Sequence, residues 1–543
     1  METLMLNYYN LTMLSDFYEF TMANGYFNSD MRDAEACFDV FFRRVPDGGG
    51  FAIMAGLEQI IAYMKRLKFT DEDTEYLRSK NCFSEEFLDY LKDFKFSCDV
   101  WSVPEGYPIF PHEPIMTVRG PLIQAQFVET FILMQINHQS LIATKSNRIV
   151  RAAQGRPVME FGTRRAHGAD AAVYGARASY IAGCVGTACT IADRNHHTPA
   201  LGTMAHSWVQ SFDSEYEAFR KYTELYPQNA TLLIDTYNVL KSGLPNAIRV
   251  FKELKPKNMG IRIDSGDITY LTRECRKILD AEGLTDCKIV ISNSLDEYII
   301  RDVILEGAQI DSFGVGERLI TARSEPVFGG VYKLSGIMKD GELVPKMKIS
   351  ENVEKITNPG FKKVVRFFDN ETGKALADVI MLRDEPMPDG KPYEIFDPNA
   401  VWKRKVLENY EAVELLVPIF EKGELVYEEP EIDEIKKTCS EQIDKLWGSH
   451  LRFENPQTYY VDLSKPLWNL KHDLLNKYAA DILLCTILKS ITTKNTFRSR
   501  FTRSRPLCRY LCLACSYIIW PARPARRYPL YPACSNRWCL DWR

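Results

Sequence analysis

The chain has 543 residues, of which 45% are hydrophobic and 26% charged, and its formal net charge is −4. This balance is ordinary for a globular protein of two or three domains and argues against general nucleic-acid binding. No stretch reaches the roughly 20 apolar residues of a membrane span. The first residues also lack the pattern of a signal peptide, so we expect a cytoplasmic protein with no membrane partner.

The first 140 residues predict a mixed α+β domain, because helical and strand patterns alternate in them. Apolar spacing and proline breaks predict these elements in order: a helix at 7–27, a strand at 38–44, helices at 51–65 and 72–94, short strands at 96–121 and a long helix at 127–151.

From residue 157 onward, short apolar runs each end on polar or small residues. The runs end, in order, on Glu160, on Thr203 and His206, on Asp235 and Thr236, on Asp264 to Asp267, on Ser292 and Asn293, and on Gly314 to Gly316. Asp235, Asp264 and Asn293 recur about every 30 residues, the length of one βα unit. The pattern predicts a (β/α) barrel whose strand ends form the active site. The alternative is a doubly wound open sheet. No Gly-x-Gly-x-x-Gly run follows the first strand, which argues against a sheet of the dinucleotide-binding type.

The predicted fold is therefore of the α/β class, an irregular (β/α) barrel with a mixed α+β domain and a β-rich C-terminal part. The predicted divisions are an N-terminal domain (1–140), the barrel (141–335), a β-rich and helical section (336–480) and a tail (481–543). The tail has 12 Lys/Arg and two Asp/Glu, which leaves the first 480 residues at −14. It holds six of the 14 cysteines without periodicity, and Cys512-x-x-Cys515 alone is a weak zinc signal. We expect this tail to be a non-native or disordered extension.

Three segments concentrate groups suited to binding anions. Residues 160–166, Glu-Phe-Gly-Thr-Arg-Arg-Ala, combine a carboxylate with adjacent guanidiniums, which suit planar carboxylates and phosphates. Residues 202–207, Gly-Thr-Met-Ala-His-Ser, place hydroxyls on both sides of a histidine, and residues 262–267, Arg-Ile-Asp-Ser-Gly-Asp, carry two carboxylates three residues apart. Taken one at a time, these features also fit a solvated surface, a structural histidine and an exposed helix start.

Together with Asp16-Phe17-Tyr18-x-x-Thr21-Met22, these motifs resemble those of the nicotinate phosphoribosyltransferase family, in the same order, from about residue 11 to 480. The resemblance implies transfer of phosphoribosyl from 5-phosphoribosyl 1-pyrophosphate to nicotinate, giving nicotinate mononucleotide and pyrophosphate in NAD biosynthesis. It implies coupling to ATP hydrolysis through a phosphohistidine. It also implies nicotinate, phosphoribosyl pyrophosphate and ATP as partners, Mg²⁺ as cofactor, and a homodimer with sites at the interface.

The resemblance assigns roles to individual residues of this chain. The catalytic residues would be His206, as the phosphate acceptor, Asp264 and Arg165. Nicotinate would be bound by Tyr18, which stacks on the pyridine ring across the dimer interface, and by Thr203, Arg262 and Ser207. The phosphate loops would be Gly314, Gly316, Gly329 and Gly330, and Asp267 would hold the metal.

One position departs from the family pattern, and other functions remain open. Glu317 stands where relatives often carry threonine, and a carboxylate beside a phosphate is unfavourable unless Mg²⁺ or Arg318 offsets it. The alternatives are a related transferase acting on nicotinamide or quinolinate, a catalytically silent scaffold, or a metal hydrolase. The hydrolase would use His196, His197 and His206 but lacks the usual helical histidine spacing.

Overall fold

The computed structural model describes residues 10–479. Residues up to 474 form one compact unit, and a second unit begins at residue 475. Of the second unit, only the helical residues 475–479 are described. The predictions for the tail at 481–543, including the Cys512-x-x-Cys515 pair, lie outside the described residues.

Fifteen α-helices and 21 strands have bounds within the described residues. The helices are α1 (Phe17–Phe27), α2 (Leu57–Met64), α3 (Asp71–Ser79), α4 (Glu85–Lys92), α5 (Leu122–Phe127), α6 (Glu129–Ala152), α7 (Ala169–Ile181), α8 (Thr190–His196), α9 (His206–Gln210), α10 (Glu215–Leu225), α11 (Leu244–Leu254), α12 (Ile268–Ala281), α13 (Glu297–Leu305), α14 (Glu317–Ile320) and α15 (Ile432–Asp444). The strands are β1 (Glu35–Phe41), β2 (Ala52–Ile53), β3 (Asp99–Ser102), β4 (Pro108–Ile109), β5 (Met116–Pro121), β6 (Val158–Glu160), β7 (Gly186–Thr187), β8 (Ala230–Leu233), β9 (Met259–Ile263), β10 (Lys288–Asn293), β11 (Ser312–Val315), β12 (Val331–Lys339), β13 (Glu342–Pro345), β14 (Lys362–Asp369), β15 (Ala375–Leu382), β16 (Tyr393–Phe396), β17 (Arg404–Leu407), β18 (Tyr410–Glu414), β19 (Val417–Glu421), β20 (Glu424–Leu425) and β21 (Val461–Leu463).

A six-stranded parallel sheet carries the site, in the order β7-β6-β11-β10-β9-β8. Its last strand along the chain, β11, pairs with its first, β6. This cyclic order is that of a barrel, and a parallel bridge from Thr187 to Ala200 extends it beyond β7. No ladder joins the Ala200 segment to β8 among the described residues, so the barrel is open on that side. The predicted irregular (β/α) barrel is confirmed.

A seven-stranded sheet joins distant parts of the chain in the order β13-β12-β1-β5-β3-β19-β20. Its central strand β1 pairs antiparallel with both β5 and β12, so the chain returns to the N-terminal part after leaving the barrel. The inner residues Ala36 to Phe41 of β1 are buried because both edges and both faces of the strand are covered. The expected α+β part with a β-rich C-terminal contribution is therefore present.

A second C-terminal sheet has the order β18-β14-β15-β21 and encloses an ion pair. Arg366 lies on β14 and binds both carboxylate oxygens of Asp378 on β15, at 2.8 and 2.7 Å. Tyr459 donates to the same carboxylate at 2.9 Å. Because both charged side chains are fully buried, each depends on the other to offset the loss of water.

Several predicted boundaries were wrong for local reasons. Residues 52–53 form a short strand, β2, and the predicted helix begins only at Leu57, after Gly56 adopts a φ of 107°. The predicted helix at 72–94 is two helices, because Ser84 caps the start of α4. Residues 200–202 contribute a single bridge and no strand. Within residues 10–479, no helix is long and apolar enough to cross a membrane.

Candidate active site

Arg262 and Asp264 lie at the carboxyl end of β9, and Ser292 lies beside them on β10. The parallel register pairs Ile263 with Ile291, which brings the next residues of the two strands, Asp264 and Ser292, side by side. Ser292 donates to Oδ1 of Asp264 at 2.5 Å and accepts from Nε of Arg262 at 2.6 Å. Because the side chains of alternate strand residues share a face, one hydroxyl reaches both charged groups.

The guanidinium of Arg262 is held by further contacts. Nη1 donates to Oγ1 of Thr203 at 3.0 Å and to the carbonyl of Met204 at 3.3 Å, and Nη2 lies 3.3 Å from Oδ1 of Asp264. The guanidinium carbon also lies 5.6 Å from the centre of the Phe161 ring. Among residues 10–479, these contacts use four of the five guanidinium N–H groups. One Nη2 N–H remains for a ligand.

His206 opens the short helix α9, at the edge of this cluster. Its ring nitrogen Nδ1 lies 3.1 Å from Oγ1 of Thr236, and Nε2 lies 3.9 Å from Oδ2 of Asp264. The side chain is 41% exposed. The ring is therefore oriented from within the chain and still open to a reagent from solvent.

Asp235 supports the loop that carries Asp264. Its Oδ2 accepts from the backbone N–H of Asp264 at 3.0 Å and from the hydroxyl of Ser265 at 2.6 Å. Its Oδ1 is buried and has no hydrogen-bond partner among the described residues. A buried carboxylate oxygen without a donor is costly, so this atom is suited to a ligand or cation.

Asp267 lies on the same loop, and its side chain stabilises the start of a helix. It is the N-cap of α12, where its Oδ1 accepts from the N–H of Tyr270 at 2.9 Å. The positive φ of Gly266, 91°, turns the chain between Asp264 and this cap. The helix-start interpretation of Asp267 is correct, and the exposed carboxylate keeps its other oxygen open to solvent.

Glu160 anchors the turn that carries Arg165. The carboxylate accepts from the hydroxyl of Thr187 at 2.6 Å and from the N–H of Gly162. Burial raises the pKa of Glu160, and the two hydrogen bonds oppose this shift. Arg165 closes the 3₁₀ turn Thr163–Arg165 and is exposed, outside the cluster around Arg262.

The four predicted phosphate-loop glycines have different surroundings. A Cβ on Gly314 would lie 2.5 Å from the Phe161 ring, so the missing side chain makes room for that ring. Gly316 precedes the helical turn α14. Gly329 is exposed with a φ of 75°, whereas the N–H of Gly330 donates to Asn137 at 2.7 Å. The N–H of Gly330 is thus already engaged.

Three family models match: the nicotinate phosphoribosyltransferase N-terminal domain at residues 13–137, the nicotinate phosphoribosyltransferase family at 157–385 and its C-terminal domain at 361–471. The nicotinate phosphoribosyltransferase of Bacillus subtilis is 42% identical over 475 residues, covering 87% of this chain and 97% of that protein. The chain belongs to the nicotinate phosphoribosyltransferase family.

Other relatives agree with this assignment. The human protein named nicotinate phosphoribosyltransferase is 30% identical over 523 residues, covering 85% of this chain and 96% of its own length. The crystal structure of human nicotinic acid phosphoribosyltransferase superposes with a TM-score of 0.76 at 28% identity, covering 85% of this chain and 99% of that one. A structure named nicotinate-nucleotide pyrophosphorylase from Pyrococcus furiosus, at 22% identity and a TM-score of 0.63, shows the fold alone.

The remaining family-motif residues do not join the barrel cluster within one chain. Tyr18 is on α1 and is 44% exposed, and burial together with the charge of Glu129 raises its pKa. Ser207 is exposed beside His206. Glu317 pairs with Arg323 at 3.3 Å, while Arg318 pairs with Asp296. Of the two groups considered for offsetting Glu317, Arg318 is already engaged by Asp296, and Arg323 is the arginine that pairs with Glu317.

The hydrolase alternative finds no support within the described residues. No group of three or more His, Cys, Asp or Glu side chains there could hold a metal ion. His196 is buried against Glu58 at 3.2 Å, and His206 contacts Thr236.

Four contributors to the site were not assigned a role from the sequence: Phe161, Asp235, Thr236 and Ser292. Their positions carried a usable signal, because each stands at the end of an apolar run in the nicotinate phosphoribosyltransferase barrel. Their hydrogen-bond contacts left no such signal in the sequence, because the contacts depend on how neighbouring strands and loops of the barrel pack.

Proposed function

We propose that this protein transfers phosphoribosyl from 5-phosphoribosyl 1-pyrophosphate to nicotinate in NAD salvage, and that ATP hydrolysis through a phosphohistidine at His206 drives the transfer. The observation that carries the proposal is the cluster of Arg262, Asp264 and His206 at the strand ends of a barrel of this family. In this cluster, the guanidinium of Arg262 suits the substrate carboxylate, the carboxylate of Asp264 suits the ribose, and a ring nitrogen of His206 is the nucleophile.

Nicotinate is recognised through its carboxylate. The remaining Nη2 N–H of Arg262 is a donor suited to a planar anion, and the hydroxyl oxygen of Thr203 holds Nη1 of the same guanidinium. The Phe161 ring beside the guanidinium offers an apolar surface to the pyridine ring. Nicotinamide carries no charge at this position and leaves part of the guanidinium charge unmatched. This difference favours nicotinate over the nicotinamide alternative.

The ribose and pyrophosphate lie on the carboxylate side of the cluster. Mg²⁺ is usually bound by one or two carboxylates together with substrate phosphates, so the absence of an all-protein cage among the described residues is compatible with it. Oδ2 of Asp264 and the exposed oxygen of Asp267 would hold the ion together with the substrate phosphates. When bound, the ion neutralises charge on the leaving pyrophosphate.

His206 acts as the phosphate acceptor. A neutral imidazole nitrogen attacks the γ-phosphorus of ATP, ADP leaves, and water later removes the phosphate from the ring. Thr236 supports this role by holding Nδ1, which keeps Nε2 directed toward Asp264. Arg165, exposed on the turn Thr163–Arg165, supplies a positive charge for the polyanionic substrates.

The test uses the purified full chain with radiolabelled ATP, followed by nicotinate, phosphoribosyl pyrophosphate and Mg²⁺. We expect acid-labile label on the wild type and nicotinate-dependent pyrophosphate release. His206→Ala should lose the label. His197→Asn is the matched control, because His197 is exposed with a φ of 53° that asparagine also tolerates.

The remaining outcomes separate the alternatives. Transferase activity without label would retain the enzyme and remove the phosphohistidine step. Faster turnover of nicotinamide than of nicotinate would overturn the substrate assignment. A folded wild type with neither label nor turnover would favour the silent scaffold.

A further inference from the structure

Ser292 connects the two oppositely charged groups of the site, the guanidinium of Arg262 and the carboxylate of Asp264, through hydrogen bonds. It is 4% exposed and lies on β10 between the strand of Arg262 and Asp264 and the strand of Gly314. Its hydroxyl oxygen lies 2.6 Å from Nε of Arg262 and 2.5 Å from Oδ1 of Asp264. No other described side chain contacts both groups through hydrogen bonds this short.

The proton of this hydroxyl has one possible direction. A guanidinium is only a donor and an ionised carboxylate only an acceptor, so Ser292 must accept from Arg262 and donate to Asp264. Such charge-assisted hydrogen bonds are about twice as strong as neutral ones. The hydroxyl therefore fixes the orientation of both charged groups at once.

Without the hydroxyl, the two charged groups can pair with each other. Nη2 of Arg262 already lies 3.3 Å from Oδ1 of Asp264, and the freed Nε would complete a side-on, two-bond pair with the same carboxylate. In that pair, the guanidinium faces Asp264 and no longer directs its last N–H toward a ligand. Ser292 keeps the arginine and the aspartate close but separately available.

We propose that Ser292 is a positioning residue that holds Arg262 in the orientation that selects a carboxylate-bearing pyridine, a role that rests on the proposed function. The hydroxyl of Ser292 is already used by Arg262 and Asp264, so Ser292 acts on the ligand through Arg262. It acts by keeping the guanidinium from closing on Asp264, so its effect appears in nicotinate binding and in the preference for nicotinate over nicotinamide.

The experiment compares Ser292→Ala, Ser292→Cys and Ser292→Thr with the wild type, and Ser294→Ala is the matched control. Ser294 is exposed two residues farther along the chain, just after β10 ends. For Ser292→Ala, we expect the KM and the calorimetric Kd for nicotinate to rise about 10- to 100-fold, with a smaller change in kcat and a reduced preference over nicotinamide. Ser292→Thr, which keeps the hydroxyl, should recover more affinity than Ser292→Cys. Ser294→Ala should match the wild type.

Each result decides the proposal. An unchanged nicotinate KM and Kd in a folded Ser292→Ala variant would overturn it. So would a loss confined to kcat, because Ser292 would then act through Asp264 on the reaction. If Ser292→Ala does not fold, equal nicotinate affinities for the Thr and Cys variants would overturn the proposal.

A failure of the proposed function can be distinguished from a failure of the Ser292 proposal, because the wild type itself would then show no turnover. Calorimetry with nicotinate still compares the wild type with the variants in that case. A wild type that does not bind nicotinate would remove both claims.

Discussion

His206 and Thr236 meet through ring nitrogen Nδ1 and hydroxyl Oγ1, 3.1 Å apart, although 30 residues separate them in the chain. His206 follows the Ala200 segment and Thr236 follows β8, so this hydrogen bond links the two segments that flank the open side of the barrel. It leaves Nε2 as the nitrogen that faces Asp264. The first prediction follows from this contact.

Thr236→Val keeps the shape of the side chain and removes the hydroxyl. We expect the rate of His206 labelling by ATP to fall about tenfold, because one hydrogen bond that orients the ring is lost. The measurement is the time course of acid-labile phosphate. Thr372→Val, in the exposed turn between β14 and β15, is the control. An unchanged labelling rate in folded Thr236→Val would contradict the assigned role of this contact.

Gly314→Ala introduces a Cβ only 2.5 Å from the Phe161 ring, so the ring beside Arg262 must shift. We expect a stability loss of about 1–3 kcal/mol and a higher KM for nicotinate. Thermal melting and steady-state kinetics measure both. Gly25→Ala, where nothing lies within 4 Å, should be neutral or stabilising. A rise in the KM for phosphoribosyl pyrophosphate alone would instead support the phosphate-loop role of Gly314.

Asp378→Asn removes the charge that offsets the fully buried Arg366. We expect a loss of about 3–5 kcal/mol in the free energy of unfolding, because the guanidinium would remain buried without its counter-charge. Urea denaturation measures the difference. Asp389→Asn is the control, since Asp389 pairs with Lys391 in solvent, where an ion pair contributes little to stability. Equal losses for the two variants would contradict the prediction.

His138 predicts a pH dependence of stability. Burial, followed by the charge of His167, lowers the pKa of His138 from 6.5 to about 4. Between these values the unfolded chain binds the extra proton and the folded chain does not, so stability is present above pH 6.5 and falls as the pH drops toward 4. The contribution is at most about 3 kcal/mol. Chemical denaturation from pH 7 to 4 should show a shallower loss for His138→Gln, and identical slopes would contradict the prediction.

Tyr18 and His206 test whether the site is shared between two chains, as the resemblance implies. Tyr18 is exposed on α1, and it forms no hydrogen bond or ion pair with Arg262, Asp264 or His206 among the described residues. We expect Tyr18→Ala and His206→Ala to be inactive separately, and their co-expressed mixture to recover about one quarter of the wild-type activity, since random pairing restores one site in half of the dimers. A mixture of His206→Ala with Asp264→Asn is the control and should recover none. No recovery in the first mixture would argue for a site within one chain.

Much of the site was accessible from the sequence, because the motifs at 160–166, 202–207 and 262–267 mark its segments. The assigned Thr203, Arg262, Asp264 and His206 do come together in the structure. The assignments of Asp267 and Gly330 were less informative, because both residues already make hydrogen bonds within the chain. Asp267 accepts from the N–H of Tyr270 at the start of a helix, and the N–H of Gly330 donates to Asn137. Local patterns report residue type and spacing, and they do not report which partner a hydrogen-bonding group has already found.

The sequence by itself determined the family, the alternation of strands and helices through the barrel, and the rule that polar groups stand where the strands end. These are local properties, since apolar periodicity and the length of a βα unit are visible in a single chain segment. Only the tertiary structure decided that Ser292 lies between Arg262 and Asp264 and that Thr236 holds His206. The Ser292 contacts depend on the register of the parallel strands β9 and β10, which pairs residues about 30 positions apart. The Thr236 contact crosses the open side of the barrel, where no strand ladder forms among the described residues, so it depends on the packing of the whole barrel.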